Sequence, residues 1–395
     1  MKTKKFLSMA ALALVGAMMT GCSNDDNYQQ PENKSNLVTL TTTIGLDDGG
    51  TTRALTATGV KTFAAGDQIA VIYTKNGGTV TKAVSEALPA GSYGANATFT
   101  VTLDDPDKTQ NVTYIYPAAM AGSTDVDYTK LNSQSSGTLT DLGSKYDLAT
   151  NSGAWNGDNL PTLTLNNQLA ILAINLKNGS TDITSSITGL TLSVGTNNYA
   201  VSGISSASTI YVAILPTSGA TINVTATDGT NEYVKTLATT KTYAANNGYN
   251  VTWNMSKLTK VTWNSTNVFK ADNQNDVLDK SNTTALTYEG ITISLIANNN
   301  SSFRPYYGSR GRASLACFGG SGDLFTFTAP SGKKFTKIEI IDNSNISFTA
   351  YDDWTKPENT KIVWNGTAAN TVTLGGSNTT GASNLNSIVF TLKDE

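Results

Sequence analysis

The chain has 395 residues, of which only 14% are charged, and a formal net charge of −3. That length supports several separate cores, while the low charge, balanced by Thr, Ser, Asn and Gly, suits extracellular β-structure with polar turns and argues against a nucleic-acid partner. There is no histidine and there are two cysteines, which removes the usual base of Ser and Cys hydrolases and the commonest transition-metal ligand, so no catalytic residue, cofactor or metal site is expected.

Residues 1–21 read as a signal peptide: Lys2, Lys4 and Lys5 precede an apolar run, 6–19, that is too short for a stop-transfer helix. A Cys directly after Gly21 makes this a bacterial lipoprotein signal, with cleavage before Cys22 and acylation of Cys22. Ser23-Asn24-Asp25-Asp26 resembles the acidic surface-export tag of some Gram-negative lipoproteins, which points to the outer face of the outer membrane. Removing the signal leaves 24 basic against 30 acidic side chains, net −6. Cys317 is then the other cysteine, expected as a small buried hydrophobe, and no intrachain disulfide forms.

Residues 22–36 form a polar tether, after which 37–44 predicts a strand with Val38, Leu40 and Ile44 on one face. A Gly- and Asp-rich loop follows and carries Arg53 and Ala54. Further strands are predicted over 68–74, 97–103 and 112–116, punctuated by Asn76-Gly77 and Gly77-Gly78 turns, giving a first β-sandwich over 37–153. A second block, 154–255, carries strand signals at 162–165, 169–176, 209–215, 221–227 and 249–255, with a hairpin turn at Asp228-Gly229. No useful window after the signal has a helical period, although short helices within 118–150 would escape such a test. The motif Val251-Thr-Trp-Asn254 recurs as Val261-Thr-Trp-Asn264 across the polar stretch 256–260, where a boundary is placed. The third block, 256–395, has strand signals at 291–296, 324–328, 335–341, 346–350, 361–364, 371–374 and 387–392, which implies another sandwich of jelly-roll type.

Several motifs in fixed order resemble the fimbrillin family, the type V pilins of anaerobic Gram-negative bacteria, over roughly residues 37–255. They are the lipoprotein start, Thr51-Thr-Arg-Ala54, Phe63-Ala-Ala-Gly-Asp-Gln-Ile-Ala-Val71, Tyr114-Ile-Tyr-Pro-Ala118, Ala213-Ile-Leu-Pro-Thr217, the turn Ala226-Thr-Asp-Gly229 and Ala245-Asn-Asn-Gly-Tyr-Asn-Val251. The resemblance implies an all-β fold of tandem transthyretin-like or immunoglobulin-like sandwiches, exported as a lipidated precursor and cut by an arginine-specific protease, here at Arg53-Ala54. Cutting would release strand 37–44 and open an apolar groove to a strand from another fimbrial subunit. The alternative is that Arg53 is an ordinary solvated loop residue and the strand stays in place. Shaft subunits of the family end in a short donor strand, whereas here about 140 residues follow, which favours a tip or accessory role.

Three of the four arginines lie in the third block: Arg304, Arg310 and Arg312, beside Tyr306 and Tyr307. Guanidinium forks beside aromatic rings suit an acidic or hydroxyl-rich glycan, and Trp354 and Trp364 are further candidate platforms, the latter more in keeping with a core strand. Asp272-Asn-Gln-Asn-Asp276 lacks the Gly and Glu of a calcium loop. Adjacent carboxylates such as Asp104-Asp105 point to opposite faces of a strand and suit turns better than a glycosidase pair. Two readings follow: a non-enzymatic, fimbrillin-like surface lipoprotein assembled with other subunits, or a stand-alone carbohydrate-binding lipoprotein that recognises host or microbial glycans.

Overall fold

Strict alternation of apolar and polar residues organises most of this chain, and the computed structural model turns it into three β-sandwich cores. The structure describes residues 36–47, 62–238, 241–268, 285–296, 302–307, 313–319, 324–342, 353–375 and 381–395. Cys22, Arg53, Ala54, Arg310, Arg312, the Asp272–Asp276 stretch and the expected strand 346–350 lie outside the described residues.

The first sheet runs in the order Val80–Val84, Ala70–Thr74, Val112–Tyr116, Ala149–Gly153, Leu163–Asn167, Leu37–Leu46 and Asn96–Asp104. It folds over a core that includes Phe63, Val71, Phe99, Val101, Tyr114 and Leu165. The strand Ala70–Thr74 is buried on both faces: Val71 and Tyr73 point into this core, whereas Ala70 and Ile72 join the second one. The outer face is covered because Ala118–Met120, Tyr128–Asn132 and Leu139–Tyr146 form short helical turns that bring Met120, Leu131 and Leu142 against it.

Two expected boundaries shift. Leu163–Asn167 belongs to the first sheet, since Leu165 and Asn167 face inward and the strand pairs with both Ala149–Gly153 and Leu37–Leu46. The first sandwich therefore extends beyond 153, while Ser133–Ser135 crosses over to pair in parallel with Asn197–Ser202 of the second. The second sandwich packs the sheet of Ala170–Asn178, Ile210–Ile214 and Asn247–Asn254 against one built on Gly189–Val194, Asn197–Ser202, Ile222–Thr227 and Glu232–Leu237. Its Asp228 carboxylate accepts from the backbone of Thr230 and Asn231 and from the Tyr233 hydroxyl, which makes 228–231 the hairpin turn expected there.

The polar stretch 256–260, expected to link the second and third blocks, is the first part of a strand, Ser256–Asn264. It pairs first with Glu232–Leu237 and then with the closing strand Gly381–Asp394, so one sheet runs unbroken from the second sandwich into the third. Its first half looks like a linker because it lies half-exposed on the crossing; Val261 and Trp263 then alternate into the third core. That core lies between this sheet and an antiparallel sheet of Ala285–Tyr288, Ile291–Ile296, Leu324–Thr328 and Thr371–Gly375.

Candidate functional site

The leader strand Leu37–Leu46 is the element on which the candidate site is built. Its even-numbered residues face inward: Val38 and Leu40 are half-buried, and Thr42, Ile44 and Leu46 are buried. The outward positions Thr39 and Thr43 meet Thr102 and Thr98 of the neighbouring strand through hydroxyl pairs at 2.9 and 3.1 Å. On one side the leader pairs antiparallel with Asn96–Asp104 along nearly its whole length, from Leu37 opposite Asp104 to Gly45 opposite Asn96. On the other side, among the described residues, only Ile44, Gly45 and Leu46 are paired, in parallel with Leu163, Thr164 and Leu165. Asn96–Asp104 is the last strand of its sheet, so the leader is its sole sheet partner among the described residues.

Both ends of the leader are fastened. At its start the Asn36 carbonyl accepts from the Asp105 amide at 3.0 Å, and the Asn36 side chain donates to the Asp105 carboxylate at 3.1 Å. Hydrogen bonds from Asn76 and Asn36 hold that carboxyl below its ordinary range. At its end the Asp47 amide donates to the Leu165 carbonyl at 3.0 Å. The Asp47 carbonyl accepts from Asn167 at 2.9 Å, and the Asp47 carboxylate accepts from Asn246 of the second sandwich at 3.2 Å. Asn167 also donates to the Asn246 side chain at 2.8 Å, closing a node between the two sandwiches immediately before the segment that carries Arg53.

Beneath the leader the groove is apolar apart from one polar spot. Thr42 is 3% exposed; its hydroxyl donates to the Pro161 carbonyl at 2.8 Å and accepts from the Tyr114 hydroxyl, which also donates to Pro161 at 2.9 Å. Burial pushes the Tyr114 phenol up to about 12. Phe63 sets its ring edge-on between Phe99 and Tyr116, with centroids 5.2 and 5.1 Å away. Asp67 ties that motif down by accepting from the Ala64 amide and the Tyr116 hydroxyl, at 2.8 and 2.7 Å. The motif 63–71 thus builds the floor of the groove. Removing the leader would uncover backbone groups along Asn96–Asp104 and an apolar floor, which is the chemistry of a strand acceptor.

The other candidate residues are placed as follows. Arg304, Tyr306 and Tyr307 share the strand Ser302–Tyr307, which among the described residues pairs only with Ala313–Gly319. Trp354 is no contact platform in this arrangement: it is 3% exposed, its indole N–H donates to the Thr373 carbonyl at 2.8 Å, and its ring lies 5.9 Å from Phe327. Trp364 is likewise in the core. At the junction of the second and third sandwiches a polar cleft of about 480 Å³ is lined by Thr227, Asn231, Glu232 and Lys257, among others. Glu232 and Lys260 form an ion pair across it at 3.1 Å. Among the described residues no group of His, Cys, Asp or Glu is placed to hold a metal, and no helix is long and apolar enough to cross a membrane.

Sequence reasoning missed Thr42, Asp47, Tyr114, Asn167 and Asn246 as parts of this site. The available signal was the register itself, in which Thr42 falls on the same inward face as Leu40 and Ile44.

No family model matches the chain, and no curated protein does. Solved structures similar to it include a fimbrial protein from Bacteroides ovatus, 17% identical, covering 56% of this chain and 49% of its own, with a TM-score of 0.29. The chain thus spans about half the length of that structure. A fimbrial assembly protein from Parabacteroides distasonis is 10% identical over 56% of this chain and 94% of its own, TM-score 0.29. A streptococcal ancillary pilin is 9% identical over 75% of this chain and 92% of its own, TM-score 0.19. With TM-scores this low these likenesses are recorded without functional weight.

Proposed function

We propose that this chain is a surface-exposed, fimbrillin-like lipoprotein: a non-enzymatic pilus subunit or adhesin, tethered to the outer membrane through Cys22. In this reading a protease cuts Arg53-Ala54, the leader strand leaves, and a strand of another fimbrial subunit takes its place. The observation that carries the reading is the position of the leader: it is an interior strand of its sheet, its inward face lies on the core, and Asn96–Asp104 depends on it for strand pairing among the described residues. The closing strand Gly381–Asp394 is hydrogen-bonded within the third sandwich, so that stretch is engaged at home, which supports a tip or accessory place over a shaft place.

The test cuts the folded full chain with an arginine-specific protease and follows it by mass spectrometry and thermal melting. Cleavage is expected first at Arg53-Ala54, to be blocked by Arg53→Lys, and to lower the melting temperature once the leader has dissociated. A cut chain that releases the leader yet melts like the uncut one would sink the strand-exchange reading.

A second reading is favoured by the marginal position of the strand Ser302–Tyr307, which pairs with one neighbour among the described residues. There Arg304, Tyr306, Tyr307, Arg310 and Arg312 would contact an acidic or hydroxyl-rich glycan, in a stand-alone carbohydrate-binding lipoprotein.

A further inference from the structure

The groove under the leader is not uniformly greasy, and its one polar spot specifies the strand that can fill it. Four inward positions, Val38, Leu40, Ile44 and Leu46, are aliphatic, and between them Thr42 places a buried hydroxyl against the Pro161 carbonyl and the Tyr114 hydroxyl. A buried hydroxyl is tolerated where it is hydrogen-bonded, and an aliphatic side chain at the same place forgoes that bond while its neighbours stay polar.

We infer that the acceptor groove selects, from other subunits, a donor strand with Ser or Thr at the place of Thr42 and aliphatic residues at the places of Val38, Leu40, Ile44 and Leu46. This rests on the strand-exchange reading and names the partner of that same site. The donor is a strand whose alternating apolar pattern is interrupted at its centre by a hydroxyl. Its direction is fixed as well: it runs antiparallel to Asn96–Asp104 and parallel to the start of Leu163–Asn167. A purely aliphatic strand would pack against the floor but leave the Pro161 carbonyl with the Tyr114 hydroxyl alone as its side-chain donor.

The experiment uses the full chain with a site-specific protease sequence inserted after Arg53, folded first and cut afterwards, so that folding of a truncated chain is never at issue. Fluorescent peptides of residues 37–46 then compete for the groove. The wild-type and Thr42→Ser peptides are expected to exchange within about twofold of one another, and Thr42→Val about five- to tenfold more weakly, the yield of one net hydrogen bond. Thr41→Val, at an exposed position, should match the wild type. In a Tyr114→Phe chain the Pro161 carbonyl loses its other side-chain donor, and the Thr42-to-Val ratio should widen, because the two hydroxyls share one acceptor. Exchange of wild-type and Thr42→Val peptides with equal affinity in both chains would overturn this inference and leave strand exchange standing. Failure of every peptide to exchange would overturn both.

Discussion

Two strands, the leader Leu37–Leu46 and the closing strand Gly381–Asp394, obey the same alternating pattern and occupy interior places in their sheets, yet they are held very differently. The closing strand is flanked on both sides: Lys333–Asp342 lies along one edge, and Ser256–Asn264 followed by Ala313–Gly319 along the other. Its inward residues Leu385, Ile388, Phe390 and Leu392 are all buried, and Phe390 sets its ring against those of Trp263, Phe335 and Phe327, at 5.4, 5.6 and 6.0 Å. The leader has one full-length neighbour, enters the sheet through half-buried Val38 and Leu40, and carries a hydroxyl in mid-groove. Pattern alone makes a strand, but the number of its partners and the depth of its side chains decide whether it can come out by itself.

The sharpest way to break the comparison is to cut a side chain from each. Phe390→Ala removes the ring that three others pack on, and about 3–5 kcal/mol of stability should go with it, enough to unfold the third sandwich as a unit. Ile44→Ala should cost about 2 kcal/mol, near the lower end for such truncations, because the leader can shift locally without the rest of its sheet. Trp263 fluorescence against denaturant, with hydrogen exchange of the leader amides, reads both. If the two variants unfold the whole chain together with equal loss, the leader is no more detachable than the closing strand.

Alkaline titration sharpens the same contrast, because the floor of the leader groove holds a titrating group in Tyr114 whereas the rings around Phe390 hold none. Burial raises the Tyr114 phenol from about 10 to about 12, so the folded state keeps it neutral when the unfolded state has begun to ionise. The stability linked to it is therefore complete below about pH 10 and is lost as pH rises to about 12, on the order of 2 to 3 kcal/mol. Tyr114→Phe should flatten the alkaline fall of the first sandwich by that amount. Stability curves of wild type and variant that stay parallel from pH 9 to 12 would show that Tyr114 is not held neutral under the leader.

Much of this architecture was legible in the sequence because buried faces repeat every second residue. The strands near 37–44, 97–103, 112–116, 221–227 and 387–392 stand where the alternation of Val, Leu, Ile and Phe places them. The strand Val80–Val84 escaped notice because it is an edge strand whose valines are exposed, so its composition shows no dry face. The stretch 256–260 reads as a linker because a strand crossing between sandwiches exposes its polar half, and the strand signal at 162–165 falls in the second block because chain order does not show which sheet a strand joins. Trp354 reads as a candidate platform because sequence alone gives no sign of its burial; its indole is sealed against Thr373. The groove's polar parts, Thr42, Tyr114 and Pro161, are 47 to 119 residues apart in sequence, and only the fold brings them together.

The smallest expected effect concerns the strand ends, where the comparison turns on burial. The leader's end is fixed by Asp47, whose carboxylate accepts from Asn246 of the second sandwich while Asn167 bonds both partners. The closing strand ends in an ion pair between Asp394 and Lys333 at 2.6 Å, on side chains that remain substantially exposed. Exposed pairs contribute about 0–1 kcal/mol, so Asp394→Ala should be close to silent. Asp47→Ala removes a partly buried hydrogen bond that spans two sandwiches and should lose about 1 kcal/mol, which appears as a severalfold faster departure of the leader once the chain is cut after Arg53. Asn246→Ala should lose at least as much, because it also removes the oxygen that accepts from Asn167, and the double variant should lose little more than Asn246→Ala alone, because the bond to Asp47 is common to both changes. Leader release that is as slow in Asp47→Ala as in Asp394→Ala would mean that the leader is held by its strand pairing alone, and that the node between the first two sandwiches serves only to fix their angle.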